Sequence, residues 1–287
     1  ADLHPHMISI PIYIFFITLV VSIFTQEIKK LNTFNFIVTS GISISLFAGI
    51  LWVTNTWTVP VIFFLINILG LLFFQKRYNF YLFKSLAYSS FILIFSYLLF
   101  LPFHNSFSSP VSGFEISEFK TNLNEFIEIY FVFIISIFIY FLAFMNREFT
   151  KRVLKDKNTN IFFSIFITSI LIIIFVENFR VENDIGRMNT FFKFHLQSWI
   201  LISISSCFFI YQLYKYYIYK NRKILIYPII GIIIFTGIIY PIFGTLNRID
   251  DRFISTKITL DGSKFLEKSI YNGPNGEINL SSDYEAI

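Results

Sequence analysis

The stretch Met7–Phe24, MISIPIYIFFITLVVSIF, carries no charge and approaches the roughly 20 residues needed to cross a hydrocarbon core about 30 Å thick. A helix is the natural form for such a run, because it satisfies each backbone N–H and C=O without water. Seven more apolar runs follow it: Thr33–Thr54, Trp57–Phe74, Phe83–Phe103, Glu125–Met145, Ile161–Val176, Phe191–Tyr217 and Ile224–Phe243. The shortest, Ile161–Val176, is expected to tilt little or to borrow flanking residues. Composition agrees: 55% hydrophobic residues, 14% charged residues and a mean hydropathy of +0.66 do not belong to a soluble domain. The expected fold class is an all-α polytopic transmembrane bundle of about eight helices.

Two regions are expected. Residues 1–243 form the transmembrane helical domain, and residues 244–287 form an extracytoplasmic tail that begins a soluble segment. The chain opens at Ala1 inside a polar loop, and Asp283-Tyr284-Glu285-Ala286-Ile287 reads like the first turn of a helix. A piece of a longer protein is therefore expected, incomplete at the N-terminus of its helical domain and truncated in its soluble segment.

Charge sets the orientation. If the spans alternate, one set of loops collects Lys29, Lys30, Lys76, Arg77, Arg147, Lys151, Arg152, Lys155 and other cations, with few acids among them. Short loops rich in Lys and Arg stay in the cytoplasm, so the opposite loops face outward. The net charge of +5 is then a topology signal rather than a mark of nucleic-acid binding. The single cysteine, Cys207, excludes an internal disulfide and a Cys-rich metal cluster.

The distinctive polar residues gather in the outward loops. Asp2, His4 and His6 flank Pro5 just before the first span; they either cap a helix at the interface or hold a divalent cation such as Mg or Mn. Asn55 and Trp57 form a tight outer turn, with Trp57 placed as in an aromatic belt. His104 opens a longer loop rich in turn formers. The densest stretch runs from Glu177 through Glu182, Asp184, Arg187, Asn189 and Thr190 into a span that contains Lys193, His195 and Gln197. Thr190, Lys193 and Gln197 fall on one helical stripe with Arg187 a turn earlier. Together with the positive end of that helix, these groups suit a phosphate at the membrane surface. Lys193 either serves that purpose or snorkels to the headgroups, and His195 is expected to hydrogen-bond within the bundle.

The blocks Asp2-Leu3-His4-Pro5-His6, Asn55-Thr56-Trp57, Leu101-Pro102-Phe103, Arg187-Met188-Asn189-Thr190-Phe191-Phe192-Lys193-Phe194, Thr259-Leu260-Asp261-Gly262 and Asp283-Tyr284-Glu285-Ala286-Ile287 occur in this order. End to end, the chain resembles the archaeal and bacterial membrane family DUF2298, also called YYY. Thr58 stands where members carry Asp, and His195 where they carry Tyr. The family in turn is similar to GT-C glycosyltransferases, which take sugar from a polyprenyl- or dolichyl-phosphate donor at the extracytoplasmic face.

The resemblance implies a GT-C-like fold in the plasma membrane. It also implies a lipid-phosphate-linked sugar as donor, an unidentified glycan or protein acceptor, and contact with membrane lipid. Asp2, Glu182 and Asp184 would be the catalytic carboxylates, and Asp2, His4 and His6 the metal ligands. Arg187, Asn189, Thr190, Lys193, Gln197, Asn55, Trp57 and His104 would bind the lipid phosphate or substrate. A transporter or flippase of lipid-linked or anionic solutes is the alternative, and a non-catalytic membrane scaffold is the third reading.

Overall fold

The computed structural model describes residues 4–25, 33–75, 79–108, 113–182, 186–217 and 226–252, and in the tail 261, 263–264, 266, 270–273, 276–279, 281 and 284. Two compact units divide the chain, Ala1–Tyr219 and Lys220–Ile287. In the first, helices α1 (Pro5–Thr25) and α2 (Thr33–Thr54) are followed by a single 3₁₀ turn at Thr56–Thr58. Then come α3 (Val59–Gln75), α4 (Tyr81–Leu99), the short α5 (Leu101–Ser106) and strand β1 (Phe114–Ile116). The unit ends with α6 (Leu123–Ala143), α7 (Arg147–Lys155), α8 (Thr159–Asn178), strand β2 (Phe179–Val181) and α9 (Met188–Gln212), which runs into a π-helical turn at Leu213–Tyr217.

Among the described residues, seven helices are long and apolar enough to cross a membrane: α1, α2, the 3₁₀ turn with α3, α4, α6, α8 and α9 with its π turn. The chain is thus an all-α membrane bundle, and the expected spans appear close to their expected limits. Helix α8 extends past the run Ile161–Val176 at both ends to reach 20 residues. The run Phe83–Phe103 is broken at Phe100, where α4 ends and α5 starts with Pro102 in its first turn. Proline suits the opening of a helix, where a missing N–H costs nothing.

The second unit carries the eighth run in α10 (Ile226–Arg252), followed by the hairpin β3 (Ile270–Gly273) and β4 (Gly276–Asn279). The expected boundary at residues 243 and 244 falls inside α10. Asp261 accepts hydrogen bonds at Oδ1 from the Ser263 amide (3.0 Å) and hydroxyl (2.6 Å), as a turn-forming aspartate does.

The core of the first unit joins α1, α2, α3, α4, α8 and α9 through Phe16, Ile44, Leu65, Ile92, Ile172 and Leu201, among others. A smaller cluster of Tyr130, Phe133, Ile173 and Ile202 seats α6 on α8 and α9. Large apolar side chains such as Phe15, Leu98, Phe138 and Ile174 point away from the bundle, as lipid-facing residues do.

With lipid outside, helix contacts depend on close approach and interhelical hydrogen bonds rather than on exclusion of water. Gly49 of α2 lies so close to α4 that an added Cβ would run into the Phe100 ring and sit 3.1 Å from the Ser96 carbonyl. Ser96 Oγ donates to the Ser45 carbonyl across the same interface at 2.9 Å. Between α3 and α4, Ser85 Oγ donates to the Asn67 carbonyl (2.5 Å) and Asn67 Nδ2 to Ser89 Oγ (3.1 Å).

The first unit's bundle therefore has two ends. The upper end holds the starts of α1, α3, α6 and α9 together with α5, β1 and β2; the lower end holds α7 and the π turn.

Candidate functional site

At the upper end, two loops far apart in sequence are sewn together. Strands β1 and β2 pair antiparallel, with Phe114 opposite Val181, Glu115 opposite Arg180 and Ile116 opposite Phe179. Opposite charges facing each other across the ladder favour this register, and Arg180 Nε lies 2.8 Å from Glu115 Oε1. Arg180 Nη1 also donates to the Gly186 carbonyl at 2.6 Å. Gly186 turns with φ +61°, a left-handed conformation that glycine adopts without a Cβ clash. Just after β1, the Lys120 ammonium donates to the Glu177 carbonyl and, at 3.1 Å, to Asn178 Oδ1.

Beneath this strap lies a charged cluster centred on Glu177, the penultimate residue of α8. Its carboxylate accepts from the Thr121 amide (3.0 Å) and hydroxyl (2.6 Å) and pairs with Arg187 Nη1 at 3.2 Å. Arg187 also donates to the Val176 carbonyl (3.1 Å) and to Thr121 Oγ1 (2.5 Å), while its guanidinium stacks over Phe191. Phe191 in turn stacks on His195 at 3.9 Å. His195 Nδ1 shares a 2.7 Å hydrogen bond with Tyr130 of α6, and its Nε2 faces Glu177 Oε1 at 3.9 Å. Arg187, Phe191 and His195 thus form one ladder along α9, directed at α6 and α8.

Lys193 and Gln197 look the other way, toward α1 and the 3₁₀ turn. The Lys193 ammonium stands 4.3 Å from the centre of the Trp57 ring, a cation–π distance. Gln197, 4% exposed, donates from Nε2 to the Trp57 carbonyl at 3.2 Å, and its buried Oε1 has no hydrogen-bond partner. Asn55 is buried at the start of the same turn; its Nδ2 donates to Ser9 Oγ of α1 at 3.3 Å, and Ser9 Oγ donates to the His6 carbonyl. The His6 ring meets Phe192 edge-on at 4.6 Å, next in sequence to Lys193. The start of α1, the Asn55 turn and the start of α9 therefore converge on one patch.

Of the residues singled out from sequence, His4, His6, Asn55, Trp57, Lys193 and Gln197 are brought together here. Thr190 is buried one turn earlier and accepts from the Val181 amide at 3.0 Å, which fixes β2 to α9. Asn189 is half-buried in the first turn of α9. Arg187 parts company with the Lys193 stripe. At i, i+4 and i+8 spacing it shares a stripe with Phe191 and His195 instead, on the side that faces α6 and α8.

Glu182 folds over Gly113, where an added Cβ would come within 2.6 Å of its carboxylate, and its amide donates to the Gly113 carbonyl at 3.0 Å. His104 sits apart, stacked on Tyr97 at 4.3 Å and edge-on to Trp52 at 5.1 Å; burial holds its pKa below the usual histidine value. Asp2 and Asp184 lie outside the described residues.

For a metal, the described residues offer His4 and His6, stacked with ring centres 5.2 Å apart. No group of three or more His, Cys, Asp or Glu side chains gathers among the described residues. Two imidazoles alone do not match the oxygen-rich coordination that Mg or Mn prefers.

Sequence reasoning gave Glu177 no role, although it opens the densest polar stretch, and passed over Thr121 and Tyr130. A signal for Glu177 existed: an acid closing an apolar run, with arginine in the loop that follows. Thr121 and Tyr130 gave none, because their roles arise only when α6 docks beside α8 and α9. Two open grooves lie away from the patch. One, of about 490 Å³, is lined by Phe64, Ile116, Ile174, Phe175, Asn178 and Phe179, and the other, between α2, α3 and α4, by Ile37, Phe74, Lys84 and Tyr88 among others.

A family model described as an uncharacterized membrane protein, DUF2298, matches residues 1–168 and 142–202. No curated protein and no solved structure matches the chain.

Proposed function

The chain belongs to the DUF2298 family of uncharacterised membrane proteins, and from that premise we propose that it is a GT-C-type glycosyltransferase using a polyprenyl- or dolichyl-phosphate-linked sugar. The upper end would face the extracytoplasmic side of the plasma membrane, since the exposed cations of α7 crowd the opposite end. The observation that carries the reading is the convergence of His6, Trp57 and Lys193 from three separate segments. This gathers a cation, an aromatic face and the segment adjoining Asp2 where a span emerges from the bilayer.

In the proposed reaction, Asp2 accepts the proton of the acceptor hydroxyl as that oxygen attacks the anomeric carbon. The bond from that carbon to the phosphate oxygen breaks, and its electron pair leaves with the lipid phosphate. Lys193 neutralises the charge that develops there, and such stabilisation is strongest where water is scarce. Trp57 holds the Lys193 ammonium in place, and Gln197 fixes the Trp57 backbone. Arg187, matched by Glu177, holds the architecture around the patch. Glu182 or Asp184 would supply a second carboxylate.

The test is transfer of radiolabelled sugar from a polyprenyl-phosphate donor by the full-length protein in proteoliposomes. Lys193→Ala is expected to lower transfer by about 10²–10³-fold, the usual loss for one electrostatic donor to a developing oxyanion, and Asp2→Asn to abolish it. Unchanged transfer in both variants overturns the assignment. Flux of the donor across the bilayer without transfer favours a flippase instead.

A further inference from the structure

We infer that α7, together with Lys215, forms a docking surface for anionic phospholipid headgroups at the lower end of the bundle. This is independent of any glycosyl transfer at the upper end. Asn146 starts the helix, its side-chain oxygen accepting from the amides of Glu148 (3.0 Å) and Phe149 (3.1 Å). Phe149 and Val153, one turn apart, are buried and act as a keel. The Phe149 ring packs against Tyr140 at 5.7 Å and Phe144 at 5.6 Å. On the opposite face, Arg147, Lys151 and Lys155 follow at successive turns with Arg152 beside them, and all four are exposed.

The sole carboxylate within α7, Glu148, is exposed and lies 3.5 Å from Lys151. Asp156, next along the chain, accepts from Tyr216 (3.0 Å) and from the Asn158 amide (3.1 Å). Four cations therefore face outward with one acid among them.

The depth of this surface is set by its neighbours. Helix α7 links the last residue of one span, Ala143, to the first of another, Thr159. At the same end, Tyr211 and Tyr214 are exposed, and the Lys215 ammonium stands over the rings of Tyr211 (5.4 Å) and Tyr216 (4.9 Å). Exposed tyrosines at the end of a span mark the headgroup layer.

Met145 and Leu154 flank the cations and are 86% and 71% exposed. Large apolar groups interleaved with lysine and arginine suit the boundary between headgroups and acyl chains. An acidic soluble partner would match the charges and leave both apolar side chains in water, so the observations favour lipid.

The full chain, reconstituted in phosphatidylcholine bilayers, is probed with spin-labelled phosphatidylglycerol or phosphatidylcholine, and the motionally restricted fraction gives relative affinity. One cation beside one anionic headgroup is worth about fivefold in affinity. Phosphatidylglycerol is expected to be preferred several-fold. The preference is expected to vanish in the Arg147→Gln/Lys151→Gln/Arg152→Gln/Lys155→Gln variant and to fall at high salt. The Lys29→Gln/Lys30→Gln/Lys76→Gln/Arg77→Gln variant should retain it, and Met145→Ser/Leu154→Ser should weaken retention of both probes.

Equal affinity for the two lipids in the native chain, or an unchanged preference in the α7 variant, overturns the inference. An equal loss in the control variant also overturns it, as does binding of polyglutamate without lipid preference.

Discussion

Removing the Glu177 carboxylate strands the Arg187 guanidinium at a site where its side chain is only 10% exposed. At the observed 3.2 Å and an effective dielectric constant of about 20, the pair attracts by about 5 kcal/mol. Desolvation of the two ions offsets much of that, so the pair itself contributes a net ~2 kcal/mol. Deleting one partner costs more, about 3 kcal/mol, because the other charge stays buried and unmatched. Glu177→Ala also deprives the Thr121 amide and hydroxyl of their acceptor.

The double variant Glu177→Ala/Arg187→Ala is therefore expected to be no less stable than Glu177→Ala alone, with a coupling energy of about 3–4 kcal/mol. Reversible unfolding in mixed SDS–detergent micelles, read by tryptophan fluorescence, measures all four corners of the cycle. Additivity within about 0.5 kcal/mol would refute the reasoning, since residues that do not interact add to that tolerance. If Arg187 instead grips the lipid phosphate, the double variant would recover stability yet lose sugar transfer, which separates the two roles.

Two further outcomes follow from the packing and the burial. Gly49→Leu should destabilise the bundle by about 1–3 kcal/mol, the usual cost of overpacking, because the side chain enters the Phe100 ring and the Ser96 backbone; an unchanged unfolding midpoint would show that α2 and α4 part easily. Partial burial lowers the His104 pKa below the usual histidine value of about 6.5, so its contribution is complete above that value and is lost as pH falls from there toward the lowered folded value. His104→Gln should flatten that acid-side decline in a pH series of thermal midpoints, and an identical decline would exclude His104 as its source.

Much of the architecture was legible because hydrophobic length alone defines a span. The run Thr33–Thr54 coincides with α2, and Ile161–Val176 grew at both ends as a short span should. The lower-end helix α7 was hidden, since nine residues with only Phe149 and Val153 turned inward show no long apolar run. Strands β1 and β2 were equally hidden, because three-residue strands exist only through pairing with a partner remote in sequence.

At the site, the convergence of the outer blocks on the start of α9 followed from alternation of the spans. The direction of Arg187 did not. Arg187 shares its stripe with Phe191 and His195 at four-residue spacing, and what that stripe meets is set only when α6 and α8 dock beside it. Its acid partner, Glu177, closes a different helix.

The pairing of Phe114 with Val181 also has a consequence for assembly of the protein during synthesis. The two strands lie on either side of α6, α7 and α8 in the chain, so the ladder cannot close until all three have been delivered and Val181 has reached the upper end. Until that moment the segment after α5 has no mate, and Thr121 has no carboxylate to bind. The stitch across the top of the molecule is thus a late event in biogenesis, and a ribosome stalled within α8 would leave that seam open.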